Sequence, residues 1–258
     1  KDDIENAINI KSDSIEKLVP IIVDNINGTI GAVMYPVFSR KQGDKVALKS
    51  MLRRSIKISS YLVFPMMMGM IICAEPIVRL VLGVQWLPCV PFLQGWCMCY
   101  ALMPVHTANL QVYNALGRSD IFLYLEIIKK VLGVATLLIT LPFGLEWMMF
   151  GRICNTLLAG VINAFPNIFI IKYKFSEQLL DLLPSFLITL TMGGMVYFCK
   201  FIPIHYLGIL AIQVLMGMAI YIVLSVIFRL ESFKYILDII KKQLGKRKLG
   251  KGVTEDKK

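Results

Sequence analysis

The sequence predicts an all-α integral membrane protein, on three observations. Of 258 residues, 57% are hydrophobic and only 17% charged, too apolar a balance for a soluble domain of this size. The apolar residues gather into blocks, each at least as long as the roughly 20 residues a helix needs to cross the hydrocarbon core. The short connections between blocks alternate between basic and non-basic, the pattern by which lysine and arginine mark the cytoplasmic side.

Seven candidate spans follow in order, at about 17–38, 56–82, 90–115, 121–141, 146–171, 179–200 and 205–228. Pro65, Pro104 and Pro166 fall inside spans, where an isolated proline kinks a membrane helix without forbidding it. The first connection carries Arg40, Lys41, Lys45, Lys49, Arg53, Arg54 and Lys57, and the second, around 83–89, carries no Lys or Arg. Arg118, Lys129 and Lys130 flank the third connection; the fourth, Pro142 to Leu145, has none; Lys172 and Lys174 mark the fifth; Lys200 alone edges the sixth. The odd connections and the tail are therefore expected in the cytoplasm. An odd number of spans then places residues 1–16 outside as a non-cytoplasmic stub. The chain opens Lys1-Asp2-Asp3, with no methionine and no signal-peptide pattern, and reads as a piece of a longer protein.

Beyond the transmembrane region, 17–228, Phe233, Ile236, Leu237, Ile240 and Leu244 recur at helical spacing among lysines. That predicts an amphipathic cytoplasmic helix over 229–244, followed by a disordered basic tail over 245–258. The formal net charge is +11. Because the cations sit beside apolar blocks, anionic lipid headgroups are the expected partner and nucleic acid is not. The six cysteines, Cys73, Cys89, Cys97, Cys99, Cys154 and Cys199, form no CxxC pair and mostly lie in apolar blocks. They read as small buried hydrophobes, and no metal site or cofactor is expected.

The spans also carry polar faces. At 100° per residue, Arg152, Asn155, Thr156, Asn163 and Asn167 share one side of the fifth span. His106, Thr107, Asn109, Tyr113 and Asn114 share one side of the third, and Glu126, Lys129, Lys130 and Gly133 one side of the fourth. In the first span Asp24, Asn27, Gly28, Gly31 and Tyr35 do the same. A charge facing lipid costs about 2.5–3.5 kcal/mol at the helix centre, so these faces must turn toward one another or toward water. Hydrogen bonds between helices are one account of the amides; the lining of a substrate path is the other, and Arg152 favours it because a charge needs water or a counter-charge. Glu75 and Arg79 are four apart, as are Glu126 and Lys130, so local ion pairs are expected. Asp24 has no basic neighbour and fits either a partner on another helix or ion coupling. The sixth and seventh spans carry few polar groups and read as peripheral, although Gly193 and Gly194 would permit a close helix approach.

Several runs, taken in order, are similar to a known family. Tyr35-Pro36-Val37-Phe38-Ser39-Arg40 precedes the basic connection and Phe64-Pro65 follows it. Ala74-Glu75-Pro76, Gln85-Trp86-Leu87-Pro88, Pro104-Val105-His106-Thr107-Ala108-Asn109 and Ala115-Leu116-Gly117-Arg118-Ser119-Asp120 come next. Together they resemble the second half of bacterial polysaccharide flippases of the O-antigen, teichuronic-acid or colanic-acid type. These lie within the multidrug/oligosaccharidyl-lipid/polysaccharide flippase superfamily. The resemblance implies two lobes of six helices around a central cavity, with this chain supplying the C-terminal lobe plus two peripheral helices. It also implies a cell inner membrane location and export of undecaprenyl-diphosphate-linked oligosaccharide repeat units. The candidate path residues are then Arg152, His106, Asn109, Asn155 and Asn163, with Arg79 at the outer end and Asp24 as the ion-coupling candidate.

Two other classes fit less well. A membrane enzyme of the same pathway would need acid–base groups in a sizeable loop, and the outer connections are only a few residues long. A drug or cation antiporter would suit Asp24, but basic groups outnumber acidic ones on the inward faces. No Walker motif is present, so ATP hydrolysis within the chain is not expected.

Overall fold

A computed structural model describes residues 44–201 and 206–237, all of them in helices and the turns between. The first expected span, with Asp24, lies outside these residues, as does the end of the tail.

Eight helices of eight or more residues have defined bounds: α1 Lys45–Ile72, α2 Ala74–Val81, α3 Val90–Ala101, α4 Met103–Ala115, α5 Ser119–Thr140, α6 Leu145–Ile170, α7 Phe175–Tyr197 and α8 Tyr206–Ile227. Short 3₁₀ turns join α2 to α3 at Val84–Cys89 and α5 to α6 at Leu141–Phe143, and a third, Phe198–Phe201, follows α7. Residues 231–237 are helical as well. Four helices, α1, α6, α7 and α8, are long and apolar enough to cross a bilayer. The 22 residues of α5 include four charges, Asp120, Glu126, Lys129 and Lys130, which lower its apolarity.

Two expected spans turn out to be broken, and in both a proline explains where. The block 90–115 is two helices, with Pro104 in the first turn of α4. Proline has no N–H to donate back along α3, but in a first turn that donor would be unpaired anyway. The block 56–82 likewise divides at Cys73, and Pro76 follows as the third residue of α2. By contrast Pro65, Pro166 and Pro184 lie inside α1, α6 and α7. The basic connection is also shorter than expected: Lys45, Lys49, Arg53, Arg54 and Lys57 belong to the first turns of α1. That helix starts at Asp44, whose Oδ1 accepts from the Val46 and Ala47 N–H groups at 3.0 Å each. Losing such a cap costs about 1 kcal/mol.

Helix α1 is central, packing on α7, α3, α4 and α8. Helix α6 packs on α5, α3 and α4, which leaves α5 and α8 at opposite margins of the described bundle. One apolar cluster joins α1, α4 and α7 through Leu52, Ile56, Val105, Val112 and Leu182. A second joins α1, α2 and α3 through Val63, Met67, Val78 and Leu93. A third joins α1, α7 and α8 through Tyr61, Ile188, Met192 and Tyr221. Helices gain little from hydrophobicity inside lipid, so close packing and hydrogen bonds must hold them. Gly193 serves this on α7, where the Met68 side chain lies against it. On the far side, α5 exposes Leu123, Tyr124, Ile127, Ile128 and Val131, an apolar face suited to acyl chains.

The expectation of few polar groups in the last two spans fails. Helix α7 buries Gln178, Asp181, Ser185 and Thr189, and α8 buries Gln213 and Ser225. Gln178, Asp181, Gln213 and Ser225 find partners on distant parts of the chain. Tyr61 donates to Ser225 Oγ at 2.8 Å, and Tyr221 donates to the Tyr61 carbonyl at 2.7 Å. The start of the tail helix also rests on protein: Leu230, Phe233 and Ile236 pack against the third cluster.

Candidate functional site

A cavity of about 630 Å³ opens between α4, α5 and α6. His106, Thr107 and Leu110 line it from α4; Glu126, Lys129, Lys130 and Gly133 from α5; Arg152, Asn155, Thr156 and Asn163 from α6. Residues three, four and seven apart on a helix share a face, and each helix turns one such face inward. Gly133 keeps α5 near α6: a Cβ there would meet Asn155 Nδ2 at 3.4 Å. Gly151 does so further along, against Thr136 and Thr140.

Among the described residues, three cations and one carboxylate line this space. Glu126 pairs with Lys129, three residues on. The four-residue spacing favours Lys130, but the i+3 lysine lies on the carboxylate's side of the helix. Neither Lys130 nor Arg152 has a carboxylate within ion-pair distance among the described residues. The Arg152 guanidinium lies 5.4 Å from the centroid of the Trp96 ring, a contact that leaves its N–H donors available. Among the described residues no group of His, Cys, Asp and Glu could hold a metal ion.

Of the residues singled out from sequence, the structure brings Arg152, His106, Asn155 and Asn163 to this one cavity. Asn109 and Arg79 do not join it. Asn109 is fully buried and turned toward α7, where its Nδ2 donates to Gln178 Oε1 at 3.1 Å. Its Oδ1 accepts from Asn167 Nδ2 at 2.7 Å. This amide ladder ties α4, α6 and α7 together, so the same polar stripe of α6 lines a cavity at Asn155 and joins helices at Asn167. Arg79 donates to Glu75 Oε1 at 2.9 Å, as the spacing predicts, and to the Tyr206 hydroxyl at 3.2 Å. It stitches α2 to α8 on another side of the bundle.

A second charged cluster, between α1 and α7, is not foreseen by the sequence pattern. Asp181, 4% exposed at its side chain, accepts from Arg53 Nε at 2.7 Å and Nη2 at 2.8 Å. It also accepts from the Tyr173 hydroxyl at 2.7 Å and lies 3.5 Å from Lys57 Nζ. Lys49 pairs with Glu177 at 2.7 Å, and Lys57 pairs with Glu231 at 2.9 Å. Arg54 stacks 3.5 Å over the Tyr235 ring. Of the expected basic connection, Lys49, Arg53, Arg54 and Lys57 are thus matched by carboxylates and a ring of the C-terminal helices. Only the lone acids of α7 could signal this, and their partners lie more than a hundred residues away.

Known proteins resemble the chain in both sequence and shape. The family described as polysaccharide biosynthesis protein matches residues 13–91. An uncharacterized membrane protein in the cps region of Klebsiella pneumoniae is 27% identical over 70% of the chain and 36% of its own length. The teichuronic acid biosynthesis protein TuaB of Bacillus subtilis is 24% identical over 69% of the chain and 37% of its own length. The lipopolysaccharide biosynthesis protein WzxC of Escherichia coli is 25% identical over 56% of the chain and 29% of its own length. The chain therefore matches only 29% to 37% of the length of these relatives. Among solved structures, the lipid II flippase MurJ in an inward closed conformation superposes with a TM-score of 0.64 at 20% identity, over 83% of the chain and 46% of that structure. At that identity the likeness speaks for the fold. The chain is thus similar in sequence to polysaccharide biosynthesis proteins and in fold to a lipid II flippase, and it spans only part of their length.

Proposed function

We propose that the chain is the C-terminal lobe of a two-lobe flippase with about seven spans of its own. In this reading the full-length protein exports undecaprenyl-diphosphate-linked oligosaccharide repeat units across the cell inner membrane by alternating access. It acts as a transporter and not as an enzyme. One observation carries the reading: among the described residues, the cavity between α4, α5 and α6 holds more cations than carboxylates. A diphosphate requires cations and N–H donors, which Arg152, Lys129 and Lys130 supply. Sugar hydroxyls require amides and hydroxyls, which Asn155, Asn163 and Thr156 supply. The missing N-terminal lobe would face this lobe and complete the path.

The alternation of basic connections supports a cytoplasmic C-terminus, with anionic lipids against the basic end of α1. Outward movement of negative cargo is then favoured by an inside-negative potential, at about 2.3 kcal/mol per charge per 100 mV. Asp24 remains the candidate for ion coupling.

Replacing Arg152→Ala in the full-length protein tests the reading. Surface polysaccharide should fall at least about tenfold, the equivalent of one lost charge-assisted contact, at unchanged protein level. Normal export would remove Arg152 from the path.

A further inference from the structure

Two polar atoms where α4 crosses α6 lack partners among the described residues. His106 is 8% exposed and Asn163 only 1%. Asn163 Nδ2 lies 3.1 Å from His106 Nδ1. With the amide donating, the ring holds its proton at Nε2. His106 Nε2 and Asn163 Oδ1 are then a buried donor and a buried acceptor, and neither has a hydrogen-bond partner among the described residues. Tyr113 does not relieve them, because its hydroxyl donates to the Asn163 backbone carbonyl at 2.6 Å. Polar groups left unmade in a protein interior are costly and call for an account.

Both side chains belong to the cavity wall. Gly160 flanks the ring: a Cβ built there would lie 3.6 Å from His106 Cε1 and 4.0 Å from Nε2, with nothing else near. No side chain of residue 160 lies between the Nε2 edge and the α6 backbone.

The chemistry selects a ligand class. A donor and an acceptor on adjoining residues match a group that both gives and takes hydrogen bonds. A hydroxyl or an acetamido group does so; a fully ionised diphosphate only accepts. Lys129, Lys130 and Arg152, in the same cavity, suit the diphosphate instead. We propose that His106 and Asn163 form the sugar-reading subsite of the cavity, covered in this structure and reached when cargo parts α4 from α6. The proposal rests on the flippase reading above and adds which residues meet the sugar.

The test uses the purified full-length protein in lipid nanodiscs with two kinds of probe. One is bare undecaprenyl diphosphate; the other is undecaprenyl diphosphate carrying glucose or N-acetylglucosamine. The wild type should prefer one of the sugar-bearing lipids at least about tenfold, as expected of two recovered hydrogen bonds. His106→Leu and Asn163→Leu should each lower that preference to under about threefold while affinity for the bare diphosphate stays unchanged. His106→Gln, which keeps a donor, should retain part of the preference. Should the leucine variants fail to fold, Gly160→Val covers the ring edge without removing either polar side chain, and the same loss is expected. An undiminished preference in these variants, or equal binding of all probes by the wild type, overturns the subsite alone. Failure of the wild type to bind any diphosphate lipid overturns the flippase reading, and the subsite with it.

Discussion

The two charged regions use the same residue types to opposite ends. Between α1 and α7, Asp181 takes two bonds from Arg53 and one from Tyr173, and Lys49 and Lys57 each face a carboxylate. Between α4, α5 and α6, Lys130 and Arg152 stand on a cavity wall where the only carboxylate among the described residues is already paired with Lys129. Matched charges fasten helices together, whereas the charges left without a carboxylate among the described residues are those we propose to meet a ligand. The difference separates scaffold from site more reliably than any residue's identity, because arginine serves in both.

The comparison breaks most visibly at Asp181. Asp181→Ala leaves Arg53 and the Tyr173 hydroxyl without their shared acceptor. Partial exposure of Arg53 moderates the loss, so a cost of about 2–3 kcal/mol is expected, seen as a lower melting temperature in detergent. Binding of diphosphate lipid by the surviving protein should be unchanged. Weakened binding with unchanged stability would reverse the two assignments.

Glu126→Gln sharpens the other side. It frees Lys129 and adds one unit of positive charge to the cavity. At high effective dielectric and several ångströms, that is worth on the order of 0.6 kcal/mol. Affinity for undecaprenyl diphosphate should rise about threefold at low salt and lose the gain at high salt.

The smallest effect belongs to Glu231. A hydrogen bond from Lys57 holds this carboxyl below the usual carboxylate range. A carboxyl lowered in the folded state contributes stability above its unfolded value, and the contribution disappears as pH falls through the folded one. Protection of residues 231–237 from hydrogen exchange should therefore weaken on the acid side of about pH 4.3, the ordinary glutamate value. Because Glu231 is 84% exposed at its side chain, Glu231→Gln should cost under about 1 kcal/mol and remove this dependence.

Much of the architecture is legible in the amino-acid order. Helices α5 to α8 begin and end within a few residues of the expected spans, and three of them, α6, α7 and α8, are unbroken apolar stretches of the length a bilayer requires. Apolarity continues without change across Cys73 and Leu102, so it hides the breaks there; the clue is that Pro76 and Pro104 suit the first turn of a new helix. Helical periodicity gathers Arg152, Asn155 and Asn163 with Glu126, Lys129 and Lys130, because a polar stripe in lipid must face inward. It cannot separate Asn109 from His106: neighbours on one stripe meet different helices, and only packing shows that Asn109 faces Gln178. Asp181 escapes such a reading because its value lies in Arg53, 128 positions away.

The central claim is that the cavity's unmatched cations bind the diphosphate of a lipid-linked cargo. Titrating undecaprenyl diphosphate into the full-length protein, wild type against Lys130→Ala, tests this most directly. The account predicts salt-sensitive binding by the wild type and affinity at least about fivefold weaker in the variant, with melting temperature unchanged. Equal affinity in the two proteins across the salt series would contradict it.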